Sequence, residues 1–302
     1  MNWKNKIMVF KILSTIPFGE KIYGFLQRNF TKSIVLTESR LQAKADIATR
    51  YWDWLEKNAS GEYFKSHVDF GAGWHPTIPL YFHTLGFTEQ HLLDIRPFLT
   101  KATVEETFRI YNEVIFPGLE EQGFDRKPVY DSTKGWSENL VKQGIHYQAP
   151  YGDELIEGLE GKIDLVTSTQ VLLYISREPM VECFRNIHRM LRPGGLFLAE
   201  THLYDLWSDS DPSLSKYNHL QYSKELWESE IDSAMMPFNR FKEPDYLSAL
   251  EEAGFEIVVS EVEGPTEADL NELRAMKVDP YFSHLSEEVL GGTFQFFVAR
   301  KK

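Results

Sequence analysis

Residues 68–80 read VDFGAGWHPTIPL, a short apolar run that ends in two glycines one residue apart. This pattern predicts a strand that turns into a nucleotide-binding loop, because a residue without a β-carbon lets backbone N–H groups approach a ligand closely. Gly71 and Gly73 are the candidate loop glycines. At the position of a third loop glycine, the chain carries His75 and Pro76. The stretch therefore predicts a nucleotide loop and leaves the nucleotide open.

Strands and helices alternate on both sides of this loop, which predicts right-handed crossovers and a largely parallel sheet of an α/β protein. The final apolar segment has no helix after it, so we expect it to pair back antiparallel. The predicted strands are His67–Phe70, His91–Ile95, Ile145–Ala149, Ile163–Ser168, Leu196–Glu200, Phe255–Ser260 and Thr293–Arg300.

The chain divides, on this pattern, into an N-terminal helical extension at residues 1–60 and a main domain at residues 61–302. Apolar residues at helical spacing predict one long helix over Leu36–Asn58. Two stretches interrupt the alternation in the main domain, at about residues 98–144 and 203–242. Because the second follows the carboxyl end of a strand, where such sheets bind their ligands, we expect it to cover the substrate.

The first 35 residues carry six basic side chains and one acid, although the whole chain has a net charge of −13. Aromatic and aliphatic residues are interleaved with these charges, which predicts amphipathic helices. Two uses remain open for this segment. It forms a helical lid or a homodimer contact, or it attaches peripherally to an anionic membrane surface.

The composition and the apolar pattern argue against nucleic-acid binding, an internal disulfide, a membrane span and a signal peptide. The acidic balance argues against nucleic-acid binding, which needs a basic surface to neutralise phosphates. A single cysteine, Cys183, rules out an internal disulfide. No apolar run approaches the ~20 residues that span a bilayer. Lys11 interrupts the first apolar stretch, so we expect no signal peptide and a cytoplasmic protein.

The acid at the end of the second predicted strand limits which nucleotide the loop can bind. Asp94 lies 23 residues after Gly71 and is placed to accept hydrogen bonds from both hydroxyls of a ribose. A dinucleotide loop needs its third glycine around the pyrophosphate, whereas His75 and Pro76 add bulk and remove a donor. S-adenosylmethionine has no phosphate and tolerates that change.

The order and spacing of the motifs resemble the class I S-adenosylmethionine-dependent methyltransferases. The matching stretches are VDFGAG (68–73), LLDI (92–95), IDLVTSTQVLLYI (163–175), MLRPGGLFLAE (190–200) and TFQFFVARK (293–301). The resemblance implies a Rossmann-like seven-stranded fold with S-adenosylmethionine as cofactor. It also implies cofactor-binding roles for Asp69, Gly71, Gly73, Asp94, Gln148, Ala149 and Ser168. Gln148 and Ala149 stand where many relatives have an acid beside the adenine, so an amide or a backbone group is expected to make that contact.

A narrower resemblance concerns the acceptor. The loop at residues 71–79 and the stretch SLSKYNHLQYSKELW (213–227) are similar to bacterial methyltransferases associated with surface-polysaccharide or other glycan gene sets. This similarity implies a small-molecule or glycan-linked acceptor and transfer to a hydroxyl oxygen. Two alternatives from other classes stay open, a nicotinamide-dependent oxidoreductase and a non-catalytic binding or scaffold protein with the same fold.

Methyl transfer to a hydroxyl needs positioning and a base that removes a proton. His202, just after the fifth predicted strand, is our candidate base, with Asp205 or Glu200 as an orienting carboxylate. The candidate substrate residues are His75, Tyr204, Trp207, His219 and Tyr222. The aromatic members either stack on a ring of the acceptor or form the core of the insertion, and His75 either touches the ligand or braces its loop. The pattern predicts no metal site.

Overall fold

The computed structural model describes residues 3–16, 35–59, 64–233 and 237–302. Its strands form one seven-stranded sheet in the order β3-β2-β1-β4-β5-β7-β6. The strands are β1 Ser66–Phe70, β2 Glu89–Leu93, β3 Ile145–Gln148, β4 Ile163–Thr169, β5 Leu191–His202, β6 Phe255–Glu263 and β7 Phe294–Lys301. β1 pairs in parallel with β2 and β4, and β2 pairs in parallel with β3. The terminal strands are antiparallel, so the prediction of a Rossmann-like, mostly parallel sheet is confirmed.

Helices connect these strands. They are α1 Trp3–Thr15, α2 Glu38–Asn58, α3 Thr77–Thr84, α4 Lys101–Ile110, α5 Phe116–Glu121, α6 Trp136–Lys142, α7 Asp153–Leu159, α8 Arg177–Met190, α9 Trp207–Ser210, α10 Lys224–Leu226, α11 Glu243–Glu252, α12 Glu267–Ala275 and α13 Glu287–Gly291. π-Helical turns follow α4 and α10, and short 3₁₀ turns lie at Leu172–Tyr174, Asn218–Gln221 and Pro280–Phe282. The long helix α2 begins two residues after the predicted start because the Thr37 hydroxyl accepts a hydrogen bond from the Arg40 amide, at 3.2 Å.

One strand begins earlier than predicted. β5 starts at Leu191, so residues 192–195 belong to the strand and not to a separate turn. A β-carbon on Gly195 would lie 3.1 Å from the carbonyl oxygen of Ile163, so the absence of a side chain lets the two backbones approach closely. A proline and two glycines therefore extend this strand at its start.

The chain separates into two compact units, each with its own packing. The first unit, which we call the loop unit, comprises residues 34–169, 185–199 and 299–302. Every residue of its central strand β1 is buried, and neighbouring strands carry fully buried side chains such as Leu92 and Leu165. This burial on both faces is what a parallel sheet between helices requires.

The second unit, which we call the insertion unit, comprises residues 1–33, 170–184 and 200–298. The buried face of α1 packs there on aromatic and aliphatic residues of the insertion. This core consists of Trp3, Ile7, Phe10, Leu13, Leu173, Trp207, Trp227, Ile231 and Phe238. Of the amphipathic helices predicted for residues 1–35, α1 is therefore present among the described residues.

Two predictions reach beyond the described residues. The membrane or dimer role of residues 1–35 depends in part on residues 17–34, which lie outside the described residues. The predicted domain boundary falls at residues 60–63, which also lie outside the described residues. Among the helices that are described, none combines the length and the apolar character needed to cross a membrane.

Candidate functional site

The loop after β1 places its glycines in a conformation that other residues rarely adopt. Gly71 has a φ of 86° and Gly73 a φ of 64°, both in the left-handed region that favours glycine. The amides of Gly71 and Ala72 donate to the carbonyl oxygen of Leu93, at 2.8 and 3.2 Å. The loop is thereby held against the end of β2.

Asp94 joins this loop from the end of β2. Its Oδ2 accepts a hydrogen bond of 3.0 Å from the Gly73 amide, and its Oδ1 accepts one of 3.1 Å from the Arg96 amide. Burial raises the pKa of this carboxyl, and the hydrogen bonds from Gly73 and Arg96 oppose that rise. A carboxylate has about four acceptor positions, so two donors leave it able to accept hydroxyl protons.

Asp69 lies in a buried polar chain below the loop. Its Oδ1 accepts from the Thr167 hydroxyl at 3.3 Å, and the same hydroxyl lies 2.8 Å from Nε2 of His67. Burial raises the pKa of Asp69 to about 7, although the Lys44 ammonium of α2 opposes the rise. Burial also lowers the pKa of His67 to about 3, so that imidazole is neutral at pH 7.

Unpaired buried polar atoms test whether these residues fit an adenosyl ligand. Oε1 of Gln148, Oγ of Ser168 and Oγ1 of Thr77 are buried without a hydrogen-bond partner among the described residues. Such atoms cost free energy unless a ligand or water satisfies them. Gln148 ends β3 and Ser168 lies in β4. An unpaired amide oxygen suits the exocyclic amine of adenine, so the residues of the loop unit fit S-adenosylmethionine.

Ala149 can offer a ligand only backbone groups for hydrogen bonding, because its side chain is a methyl group. The preceding carbonyl, that of Gln148, accepts a hydrogen bond of 3.2 Å from the Asp94 amide. This bond ties the end of β3 to the carboxylate that ends β2. The predicted cofactor residues of β2 and β3 are therefore adjacent along one edge of the sheet.

His75 is buried and braces its loop. Its Nδ1 lies 3.2 Å from the hydroxyl of Thr107 in α4, and the side chain is 8 % exposed. The Thr107 hydroxyl in turn donates to the Thr103 carbonyl at 2.6 Å. Of the two interpretations of His75, this geometry favours the bracing one.

In the insertion unit, His202 ends β5 between two aromatic rings. Its ring centroid lies 4.9 Å from that of Tyr204 and 4.6 Å from that of Phe294. Both ring nitrogens are buried without a hydrogen-bond partner among the described residues. Burial lowers the pKa of His202 to about 4, so the imidazole is neutral at pH 7 and has a lone pair for a proton.

The orienting role expected of Asp205 stays a prediction, and in this structure both oxygens of its carboxyl group accept hydrogen bonds from other residues. Its Oδ1 accepts from the Trp207 amide and its Oδ2 from Nδ2 of Asn218, both at 2.9 Å. Burial raises the pKa of this carboxyl to about 6. Asp205 therefore holds the turn that leads into α9 and orients the Asn218 amide.

The predicted substrate residues of the insertion separate into core and pocket positions. Trp207 is 1 % exposed and packs on Phe10 with ring centroids 5.8 Å apart, so it is a core residue. Tyr222 packs on Trp227 with centroids 6.2 Å apart. Tyr204 and His219 instead line a pocket that also contains His202 and Asp205. The structure thus brings four of the predicted residues together.

Two basic residues of the insertion unit were missed by the sequence analysis. Arg240 lines the same pocket, and its guanidinium carbon lies 5.0–5.1 Å from three ring centroids, those of Trp227, Tyr281 and Phe282. Lys242 is fully buried and donates to the carbonyl of Leu203 at 2.6 Å. The signal was available in NRFK (239–242), where two basic residues follow a largely acidic insertion.

The part of the chain that the structure describes contains no cluster of metal ligands. No group of three or more His, Cys, Asp or Glu side chains there is arranged to hold a metal ion.

The chain is similar to known proteins in its sequence and in its fold. A family model described as a methyltransferase domain matches residues 39–260, and no curated protein matches the sequence. Among solved structures, the chain is similar to an S-adenosylmethionine-dependent methyltransferase from Mesorhizobium loti, with 20% identity, 82% of this chain and 97% of that chain covered, and a TM-score of 0.42. It is also similar to geranyl diphosphate C-methyltransferase from Streptomyces coelicolor A3(2), with 13% identity, 88% and 82% covered, and a TM-score of 0.47.

The structural similarities are too distant to indicate an acceptor or a reaction. The family model does show the family, because its match covers most of the chain, including the glycine loop and Asp94. The chain belongs to the methyltransferase domain family, the class I enzymes that use S-adenosylmethionine.

Proposed function

We propose that this protein transfers a methyl group to a hydroxyl oxygen of a small-molecule or glycan-linked acceptor. The observation that supports the cofactor part of the proposal is the hydrogen bond from the Gly73 amide to the Asp94 carboxylate, which holds an acid beside a loop that has no third glycine. S-adenosylmethionine supplies, when bound, a methyl group on a sulfonium, which a hydroxyl oxygen displaces in line.

Residues of the loop unit hold the cofactor in this proposal. Asp94 accepts hydrogen bonds from the ribose hydroxyls, and Gln148 accepts one from the adenine amine through its unpaired Oε1. Gly71 and Gly73 keep side chains away from the ligand. Asp69 adds a carboxyl beneath the loop, with Lys44 nearby to favour its charged form.

Residues of the insertion unit hold the acceptor and its proton. His202 is the proposed base, because its neutral ring has unpaired nitrogens and lies in the pocket with Tyr204 and His219. Its pKa of about 4 makes it a weak base, so proton removal contributes less to the rate than positioning does. An oxygen acceptor suits such a base, since the hydroxyl loses its proton only as the new C–O bond forms.

Calorimetry on the full chain tests the cofactor part of this proposal. S-adenosylmethionine and S-adenosylhomocysteine are expected to bind, and NAD is expected to give no heat. Binding of NAD without a response to the other two ligands would contradict the proposal and favour an oxidoreductase.

Transfer of a labelled methyl group tests the acceptor part. The protein is incubated with labelled S-adenosylmethionine and an extract of the source cell, and glycans, lipids and small metabolites are then separated. Label in an alkali-stable ether of a glycan or small molecule supports transfer to a hydroxyl oxygen. Label bound to carbon or nitrogen contradicts it.

A further inference from the structure

A buried chain of four polar side chains in the loop unit runs from the carbonyl of Pro79 to the carboxyl of Asp69. Nε2 of Gln90 donates to that carbonyl at 2.9 Å, and its Oε1 lies 3.0 Å from Nδ1 of His67. Nε2 of His67 lies 2.8 Å from the Thr167 hydroxyl, which lies 3.3 Å from Oδ1 of Asp69. All four residues are at most 4 % exposed. The hydrogen bonds among them therefore determine where their protons lie.

The Pro79 carbonyl fixes the direction of this chain. A carbonyl oxygen can only accept, so the amino group of Gln90 faces Pro79 and the amide oxygen faces His67. That oxygen also can only accept, so Nδ1 of His67 carries a proton. Burial lowers the pKa of His67 to about 3, so the ring carries no second proton at pH 7. Nε2 keeps its lone pair, and the Thr167 hydroxyl has to donate its single proton to it.

The end of the chain determines the state of Asp69. Because the Thr167 proton points to His67, Oδ1 of Asp69 meets a lone pair of the hydroxyl, and the two bond only if the carboxyl carries a proton. A charged Asp69 instead draws the Thr167 proton to itself and leaves Nε2 of His67 buried without a donor, which costs free energy. Burial acts in the same direction, since it raises the pKa of Asp69 to about 7. The chain and burial thus both favour the neutral acid.

The charged groups that face Asp69 come from two neighbouring elements. The Lys44 ammonium of α2 favours the charged carboxyl, although burial lowers the pKa of Lys44 itself, and Asp94 at the end of β2 opposes it. His67 of β1 is neutral, and His91 of β2 lowers its pKa further. A further positive charge near Asp69 stabilises the carboxylate and not the acid, so it shifts the balance. S-adenosylmethionine carries two positive charges, a sulfonium and an ammonium.

We propose that Gln90 and His67 are positioning residues that keep Asp69 protonated in the free protein, and that Asp69 releases this proton to solvent when a cationic cofactor binds. On release, the Thr167 hydroxyl turns from His67 to Oδ1 of Asp69. The inference rests on the proposed function, in which Asp69 belongs to the cofactor site, and adds the regulation of that site by pH. Cofactor affinity falls with the pH below about 7, because a growing fraction of the protein has to lose the proton before it binds.

Calorimetry of the full chain with S-adenosylhomocysteine tests the proton release. This ligand lacks the sulfonium charge but keeps the ammonium group. Titrations in buffers with different enthalpies of ionisation give the number of protons released. About one proton is expected at pH 6 and almost none at pH 8, and the affinity should rise about tenfold between the two. Proton uptake, no release at pH 6, or an affinity independent of pH overturns the inference.

Asp69→Asn identifies the group that releases the proton. The asparagine amide is neutral and does not titrate, so the variant should release no proton at pH 6 and its affinity should not change with pH. Asp94 is the other carboxyl at this edge of the sheet with a raised pKa. Release that persists in a folded Asp69→Asn assigns the proton to another group and overturns the inference.

Gln90→Met tests the chain itself, since methionine has a similar size and no amide oxygen. The ring proton of His67 is then free to move to Nε2 and to be donated to Thr167, whose own proton becomes available to a charged Asp69. Proton release at pH 6 should therefore largely disappear, and the affinity at pH 6 should approach that at pH 8. Gln122→Met, at an exposed position, is the matched control and should release protons like the wild type.

A merely structural role of Gln90 gives a different result. It weakens binding at both pH values and leaves the number of released protons unchanged, and that outcome in a folded Gln90→Met overturns the positioning role.

Ring-nitrogen NMR tests the same point in the wild type, so the inference stays testable if Gln90→Met does not fold. The full chain is labelled with ¹⁵N-histidine, and the His67 signals are assigned through their correlations with the backbone. A neutral ring with its proton on Nδ1 is expected in the free protein at pH 6. A proton on Nε2, or on both nitrogens, overturns the inference.

The outcomes separate this inference from the proposed function. Failure of S-adenosylhomocysteine to bind at either pH contradicts the proposed function itself. Binding without proton release contradicts only the role of the buried chain.

Discussion

The Gly73 amide donates a hydrogen bond of 3.0 Å to Oδ2 of Asp94, so the glycine loop after the first strand and the acid after the second form one structure. The carboxylate has two tasks as a result. It holds the loop in position, and it presents its remaining lone pairs to a ribose. Removal of the carboxylate should affect both.

Asp94→Ala should weaken binding of S-adenosylhomocysteine by about 10- to 100-fold, because hydrogen bonds to a charged group contribute about 1.5–3 kcal/mol. Calorimetry measures the affinity, and circular dichroism confirms the fold. Glu120→Ala, which changes an exposed acid of α5, serves as control and should bind normally. Equal affinities in the two variants would exclude Asp94 from the cofactor site.

The pKa of Asp69 predicts a dependence of stability on pH. This pKa rises from 3.8 in the unfolded chain to about 7 in the folded protein. The folded state therefore binds the proton more tightly, and the wild type should lose stability as the pH rises through this window. Asp69→Asn does not titrate, so its melting temperature relative to the wild type should be higher at pH 8 than at pH 5.

Asp164 provides the control for this measurement. Burial raises the pKa of its carboxyl, but hydrogen bonds from the amides of Ser66 and Lys65 and from Arg192 outweigh burial and lower the pKa overall. Its stabilising effect is lost only at acid pH, as the pH falls below 3.8 toward the lowered value. The difference between Asp164→Asn and the wild type should be constant from about pH 5 to pH 8. A constant difference for Asp69→Asn as well would refute the raised pKa.

His202→Gln should lower kcat by about 100-fold with little change in KM, since the variant keeps polarity and size but removes the proton acceptor. The wild-type rate should be independent of pH above about pH 5, because the His202 pKa is about 4. Initial rates across this range, with the acceptor found in the extract experiment, provide the measurement. A normal kcat in the variant means that no base is needed or that another group supplies it.

Two glycines with similar backbone angles predict different costs of substitution. Gly144 has a φ of +73°, and a β-carbon there would clash with the carbonyl oxygen of Thr88. Gly161 has a φ of +68°, and a β-carbon there would meet nothing within 4 Å. Gly161→Ala should therefore lower the free energy of unfolding by the backbone strain alone, about 1–2 kcal/mol.

Gly144→Ala should cost that strain and a further ~2 kcal/mol or more, because the backbone of Thr88 has to move. Urea denaturation followed by tryptophan fluorescence measures both variants under the same conditions. Equal free energies of unfolding would show that the loop beside Thr88 adjusts without cost.

Local patterns in the sequence determined the strands, the glycine loop and the acid that follows β2. These features depend on residues near one another in the chain, such as the apolar run before Gly71 and the spacing to Asp94. The same patterns were sufficient to indicate the methyltransferase family. They also placed His202 at the end of β5, since the strand ends where the apolar run does.

Only the tertiary structure decided which polar groups meet. Asp205 is three residues from His202 but binds the Trp207 amide and Asn218, and Trp207 belongs to a core with Phe10 at the start of the chain. Arg240 donates a hydrogen bond to the carbonyl of His219, although the two residues are 21 positions apart in the sequence. Burial and hydrogen bonds between residues distant in sequence set these partners and pKa values, and neither is encoded in a local pattern.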